Sequence, residues 1–133
     1  MNRIDFLKLL AVGTLAGVTG WKGKVAAKEP KHVLLFASRV AGFSYYNGAS
    51  LAPFLKPGTR LVLVREPENP YDQKAIAVFY GATKIGFLPR SGNLIPCRMM
   101  DQGVQLVAEV MEYYSEAHPE ERLKINVFMV KEK

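Results

Sequence analysis

One cysteine, Cys97, and two histidines, His32 and His118, are all that 133 residues offer of the usual thiolate and imidazole ligands. A single cysteine excludes an intrachain disulfide. Without a Cys-x-x-Cys or His-x-x-x-His spacing, no structural zinc site can be assembled from neighbouring residues, and no metal or other cofactor is expected. The phosphate-cradling pattern Gly-x-x-x-x-Gly-Lys-Ser/Thr is missing, which excludes a P-loop ATPase. No Gly-x-Ser-x-Gly occurs and no Ser–His–Asp set can be named. Cys97 lies beside Ile95, Pro96, Met99 and Met100, an apolar setting that fits a core thiol better than a nucleophile. Glu66, Glu68 and Asp72 share one stretch, but no histidine or further acid accompanies them at ligand spacing. The chain therefore reads as a non-enzyme, and its function must lie in a binding surface.

The formal charge of +6 divides unevenly along the chain. Residues 1–27 carry four basic side chains against Asp5, a net +3, and the remainder carries 14 basic and 11 acidic residues. That remainder is too mildly basic to be a polybasic coat for duplex DNA. Residues 38–108 hold eight basic side chains against four acids, whereas 109–133 hold six acids against four bases. This asymmetry fits a modest positive groove with an acidic back, or a solvated surface of mixed charge.

No apolar run reaches the roughly 20 residues of a membrane span. The nearest is Leu9–Gly20, which follows a charged start, Met1–Lys8. This order resembles a signal peptide, with Val25-Ala26-Ala27 supplying small residues for cleavage before Lys28. Arg3-Ile4-Asp5-Phe6-Leu7-Lys8 also resembles a twin-arginine export signal in which Ile4 replaces the second arginine. Residues 1–27 are thus expected to be a signal peptide or N-terminal anchor, with membrane association through this segment, and residues 28–133 the domain. The expected location is exported, periplasmic or inner-membrane-anchored, and cytoplasmic if the leader is not functional. An amphipathic N-terminal helix packed on the domain is the structural alternative.

After the leader, β-type segments dominate. Strands are expected over Val33–Gly42, Arg60–Arg65, Ala75–Tyr80, Thr83–Leu88, Val104–Tyr114 and Arg122–Lys131. Tyr45-Tyr46-Asn47-Gly48 reads as a turn, and Ala49–Leu55 as a short helical turn. Gly86 inside its strand marks a bulge or a close backbone approach. Ser91–Asp101 reads as a helix with Ser91 as N-cap and Leu94, Ile95, Arg98 and Met99 on one face; Pro96 starts or bends it. The expected fold is mainly β with one or two short helices, a small OB-like or modified β-barrel. Periodicity alone also permits a sandwich or an SH3-like barrel.

The densest run of special residues is Arg65–Tyr80, with Pro67, Asn69, Pro70, Tyr71 and Asp72 between two strands. Each proline lacks an amide donor and restricts the residue before it, so the loop is stiff. It holds a flat stacking face beside a hydrogen-bond acceptor, which suits an unpaired base or a sugar hydroxyl. It also suits a structural turn in which Asp72 caps backbone amides and Tyr71 lids the core.

The run Arg65–Asp72, followed by Ala75-Ile76-Ala77-Val78, resembles the signature of the HIRAN domain. The pattern continues through Val40-Ala41-Gly42-Phe43-Ser44-Tyr45-Tyr46-Asn47-Gly48, Leu55-Lys56-Pro57-Gly58-Thr59-Arg60-Leu61 and Ile85-Gly86-Phe87-Leu88-Pro89-Arg90. The resemblance spans about residues 40–110. It implies a modified barrel that grips the 3′-hydroxyl end of single-stranded DNA, in a family associated with DNA repair and with helicase or nuclease partners. By that resemblance the nucleic-acid-binding residues are Tyr45, Tyr46, Tyr71, Asp72, Arg90 and Tyr113, and the positive charge of Lys84 adds a further candidate phosphate contact. Aromatic faces stack bases, Lys84 and Arg90 meet phosphates, and Asp72 accepts a bond from a terminal hydroxyl while repelling a phosphate in its place. Two positions depart from the pattern: Ser44 stands where DNA-binding members place an arginine, and Phe87 where they can have a histidine. Both remove a donor from the phosphate side. The alternative function is an exported or cell-envelope interaction protein that keeps the fold without binding DNA.

Overall fold

The computed structural model describes residues 31–46 and 48–131. The expected leader, residues 1–27, and Asn47 of the expected turn lie outside the described residues. Six strands form one antiparallel sheet: β1 (Lys31–Arg39), β2 (Arg60–Arg65), β3 (Ile76–Tyr80), β4 (Thr83–Phe87), β5 (Leu106–Tyr113) and β6 (Leu123–Lys131). Their order in the sheet is β1-β6-β5-β2-β3-β4. One α-helix, α1 (Leu94–Asp101), and short 3-10 segments at Phe43–Tyr46, Gly48–Phe54, Arg90–Gly92 and Pro119–Glu121 complete the described chain.

Period-2 alternation sets the core. Leu61 and Leu63 of β2, Leu106, Ala108 and Val110 of β5, and Leu123, Ile125 and Val127 of β6 all point inward and are buried. The sequence left the direction of β2 open; the structure turns its leucines in. Ile76, Ala77, Val78 and Phe79 of β3 are buried on both faces, which explains their unbroken apolar run. The ladder slips between Val110 and Glu112 on β5 and between Val78 and Phe79 on β3. Such bulges bend the strands and let a six-stranded sheet curl.

The barrel is open. β1 and β4 are its edges, and among the described residues the chain just after β1 meets the end of β4 at one bridge, Ala41 to Phe87. That bridge has two hydrogen bonds, Ala41 N to Phe87 O at 2.8 Å and Phe87 N to Ala41 O at 2.9 Å. Gly86 permits it: with φ +150°, a Cβ there would lie 2.4 Å from the Ala41 carbonyl oxygen. The close approach expected at this glycine is what holds the open edges together.

The helix corrects one expectation. Asn93, not Ser91, is the N-cap residue, and Ser91 lies in the 3-10 segment before it. Starting at Leu94 leaves Pro96 in the first turn, where no intrahelical amide is lost. Leu94 and Ile95 are exposed, while Pro96 and Cys97 are buried and Met100 packs on the core. Asn93, Pro96, Cys97 and Met100 line the inward stripe at i, i+3, i+4, i+7, and Met99 also packs against the core.

Candidate functional site

The loop between β2 and β3 is braced from within. The Asn69 side-chain oxygen accepts the amides of Tyr71 at 2.8 Å and Asp72 at 3.1 Å, and its amide nitrogen donates to Glu66 Oε1 at 3.1 Å. Glu66 N donates to Ala75 O, and Ala75 N to Asp72 O, both at 3.0 Å, closing the base of the loop. An asparagine that satisfies two successive amides leaves little freedom to the residues that follow it.

From the helix side, Arg65 clamps the same loop. Its Nε and Nη2 form a fork on the Asp101 carboxylate at 2.8 and 3.1 Å, and its Nη1 donates to Ala75 O at 2.8 Å. The bond from Arg65 holds the Asp101 carboxyl below its ordinary pKa. Cys97 is buried, which pushes its thiol up; it is a core residue packed against this clamp.

The loop presents two residues in contrasting ways. Tyr71 is 84% exposed. The Asp72 side chain is only 13% exposed, and its two oxygens are held differently: Oδ1 accepts the Lys74 amide at 3.0 Å, and Oδ2 accepts from Asn93 Nδ2 at 2.8 Å. Lys74 Nζ and Arg90 Nε each stand 3.9 Å from the carboxylate. Burial acts to raise the Asp72 pKa, but the Lys74 amide, the Asn93 side chain and the charges of Lys74 and Arg90 outweigh it, and the pKa is lowered. The carboxylate is thus anionic near neutrality, and two donors leave part of its acceptor capacity unused.

Two clefts flank this pair. One, about 320 Å³, is mainly apolar and is walled by Ala41, Ala75, Phe87 and Leu88 together with Tyr71, Asp72 and Arg90. The other, about 340 Å³, shares Tyr71, Asp72 and Arg90 but is finished by Gln73 and Lys74. Arg90, exposed, donates through Nη2 to the Tyr71 carbonyl. Among the described residues no group of three or more His, Cys, Asp and Glu side chains could hold a metal ion.

The remaining sequence-predicted residues divide. Tyr45, 87% exposed, meets Tyr46 edge-on at 6.0 Å, and Tyr46 meets Phe87 at 5.8 Å. Phe87 therefore joins the tyrosine pair to the cleft of Tyr71 and Asp72. Lys84 is drawn inward: its Nζ lies 2.7 Å from Glu66 Oε2 and 4.8 Å from the centre of the Phe87 ring. Tyr113 packs on the core against Phe43 at 5.9 Å.

A HIRAN-domain family model matches residues 33–132. The chain belongs to the HIRAN family. A protein from Lactobacillus plantarum is similar in structure, with 26% identity and a TM-score of 0.68 over 77% of this chain and 98% of that one. The HIRAN domain of human HLTF is similar in fold, with 22% identity and a TM-score of 0.56, over 77% of this chain and 80% of that one. No curated protein sequence matches the chain.

Within this HIRAN domain, several residues that build the site escaped the sequence. Asn69 was visible in the signature but carried no role there. Ala41 and Leu88 are ordinary core-type residues until the Ala41–Phe87 bridge brings them to the cleft. Asn93 gave no signal at all: it lies 21 positions from Asp72, at the N-cap of α1 rather than in the loop.

Proposed function

We propose that this HIRAN domain is a non-catalytic nucleic-acid-binding module that takes the 3′-hydroxyl end of single-stranded DNA. The observation that carries the reading is the Asp72 carboxylate: ionised, mostly buried, with acceptor capacity to spare, beside the exposed Tyr71 ring in an apolar cleft. A terminal base stacks on Tyr71, and Tyr45, Tyr46 and Phe87 continue the aromatic track. The terminal hydroxyl donates to Asp72. A phosphate in its place meets an anion, so interior nucleotides and blocked ends are rejected. Arg90 supplies the counter-charge for the preceding phosphate.

Fluorescence anisotropy with single strands carrying a free or a phosphorylated 3′ end tests this directly. Tighter binding of the free end is expected, and equal binding of the two ends would overturn the end-reading mechanism.

A second reading has one observation in its favour. Lys84 is neutralised by Glu66 and Arg90 is partly engaged by the loop, while Ser44 adds no charge, so the phosphate-facing side is thinly charged. An exported cell-envelope protein that keeps the fold for protein contacts fits that feature and the leader-like sequence of residues 1–27. Fractionation decides the location, and a chain that binds no single strand at low salt favours this second reading.

A further inference from the structure

Asn93 has no exposed surface at all. It stands at the first position of the inward stripe of α1, where Pro96, Cys97 and Met100 are apolar or core-packed. As a filler of that position an asparagine is a poor fit. Its side chain makes no capping bond to the helix, and its Oδ1 is buried without a hydrogen-bond partner among the described residues. A buried polar atom left unsatisfied costs stability. The one bond the side chain does make is from Nδ2 to Asp72 Oδ2 at 2.8 Å. The amide therefore stabilises the hydroxyl-reading carboxylate rather than its own helix.

We propose that Asn93 is a positioning residue for end recognition: it fixes the orientation of the Asp72 carboxylate so that the unused acceptor positions face a terminal hydroxyl. This rests on the end-binding reading above. The Lys74 amide holds Oδ1 and Asn93 holds Oδ2, so each carboxylate oxygen has its own donor and rotation about the carboxylate is restrained. A neutral donor is required here. A further cation beside Lys74 and Arg90 would weaken the charge that rejects phosphate, and an apolar residue would leave Oδ2 free to turn. The charged groups facing the carboxylate are Lys74, Arg90 and, through longer-range attraction, Arg65. They contribute charge but, at 3.9 Å for Lys74 and Arg90, not the close directional bond that Asn93 makes.

The test compares the wild-type chain with Asn93→Ala and Asn93→Asp, using single strands with free, phosphorylated or 3′-deoxy ends. For Asn93→Ala the affinity for the free end is expected to fall about tenfold while that for the phosphorylated end changes little. A merely structural role weakens both ends alike. Carbon-13 NMR of the Asp72 carboxyl gives a readout without ligand: its titration midpoint rises in Asn93→Ala, because a donor to the charged form has been removed. For Asn93→Asp, the protonated side chain donates to Asp72 as the amide did, so preference for the free over the 3′-deoxy end survives near about pH 5 and declines toward about pH 8 as the shared proton leaves. The wild type shows no such decline. Wild-type protein that ignores the end state overturns the proposed function and this role with it. Wild-type discrimination that persists in Asn93→Ala, or an unmoved Asp72 midpoint, overturns the role of Asn93 alone.

Discussion

Lys84 Nζ lies 2.7 Å from Glu66 Oε2, with both side chains mostly buried, so β4 is tied to the start of the β2–β3 loop by an ion pair that faces away from bulk water. A lysine read from the sequence as a phosphate contact is thus spent on bracing the loop and covering the Phe87 and Tyr46 rings. Removing either partner of such a pair leaves the other charge without compensation.

Glu66→Gln, which keeps an acceptor for Asn69, is expected to free the Lys84 charge. Single-strand affinity then rises a few-fold, and the slope of log affinity against log salt steepens by about 0.7, the value for one added phosphate contact. Salt titrations by anisotropy check this. An unchanged slope would mean that Lys84 cannot reach the strand even when released.

Tyr71→Ala is expected to weaken single-strand binding by about 1–3 kcal/mol, the worth of one stacked base, with little effect on thermal stability because the ring is exposed. Tyr113→Ala should do the reverse, lowering stability by loss of its packing on Phe43 with no change in end preference. Paired melting and binding curves separate the two outcomes.

Arg65→Lys is expected to destabilise the domain by about 1–3 kcal/mol in urea unfolding. An ammonium cannot reproduce the planar fork that joins Asp101 to the Ala75 carbonyl. A variant as stable as wild type would show that the clamp contributes nothing to the fold.

Gly86→Ala should cost about 1–3 kcal/mol or more, because the new methyl group meets the Ala41 carbonyl at the Ala41–Phe87 bridge between the sheet edges. Hydrogen exchange should localise the loss to the amides of Ala41 and Phe87.

Asp72 titrates below its ordinary value in the folded chain. Its contribution to stability is therefore full above the unfolded carboxylate pKa of about 3.9 and disappears as pH falls through the lower, folded value. The stability difference between wild type and Asp72→Asn should stay constant above about pH 5 and shrink below about pH 4. A difference that grows in acid would contradict the lowered pKa.

The strands were legible because their signals are local. Leu61 and Leu63, Leu123, Ile125 and Val127 alternate at period 2, and each strand was expected within a few residues of where it lies. The start of α1 was placed early because Ser91 is a capping residue by type, whereas the chain enters the helix only after the 3-10 segment Arg90–Gly92. Tyr71, Asp72 and Arg90 were named from the signature and do share two clefts. Lys84 was named on its charge and Tyr113 on the resemblance, and neither says which partner claims a side chain after folding.

By itself the sequence determined the class of the fold and the stiff double-proline loop, since these follow from periodicity and covalent restraint. Only the tertiary structure decided which charges remain available. Asn93 reaches Asp72 and Glu66 takes Lys84 through contacts between segments distant along the chain. Such contacts are fixed by how the sheet curls, and no local pattern encodes them.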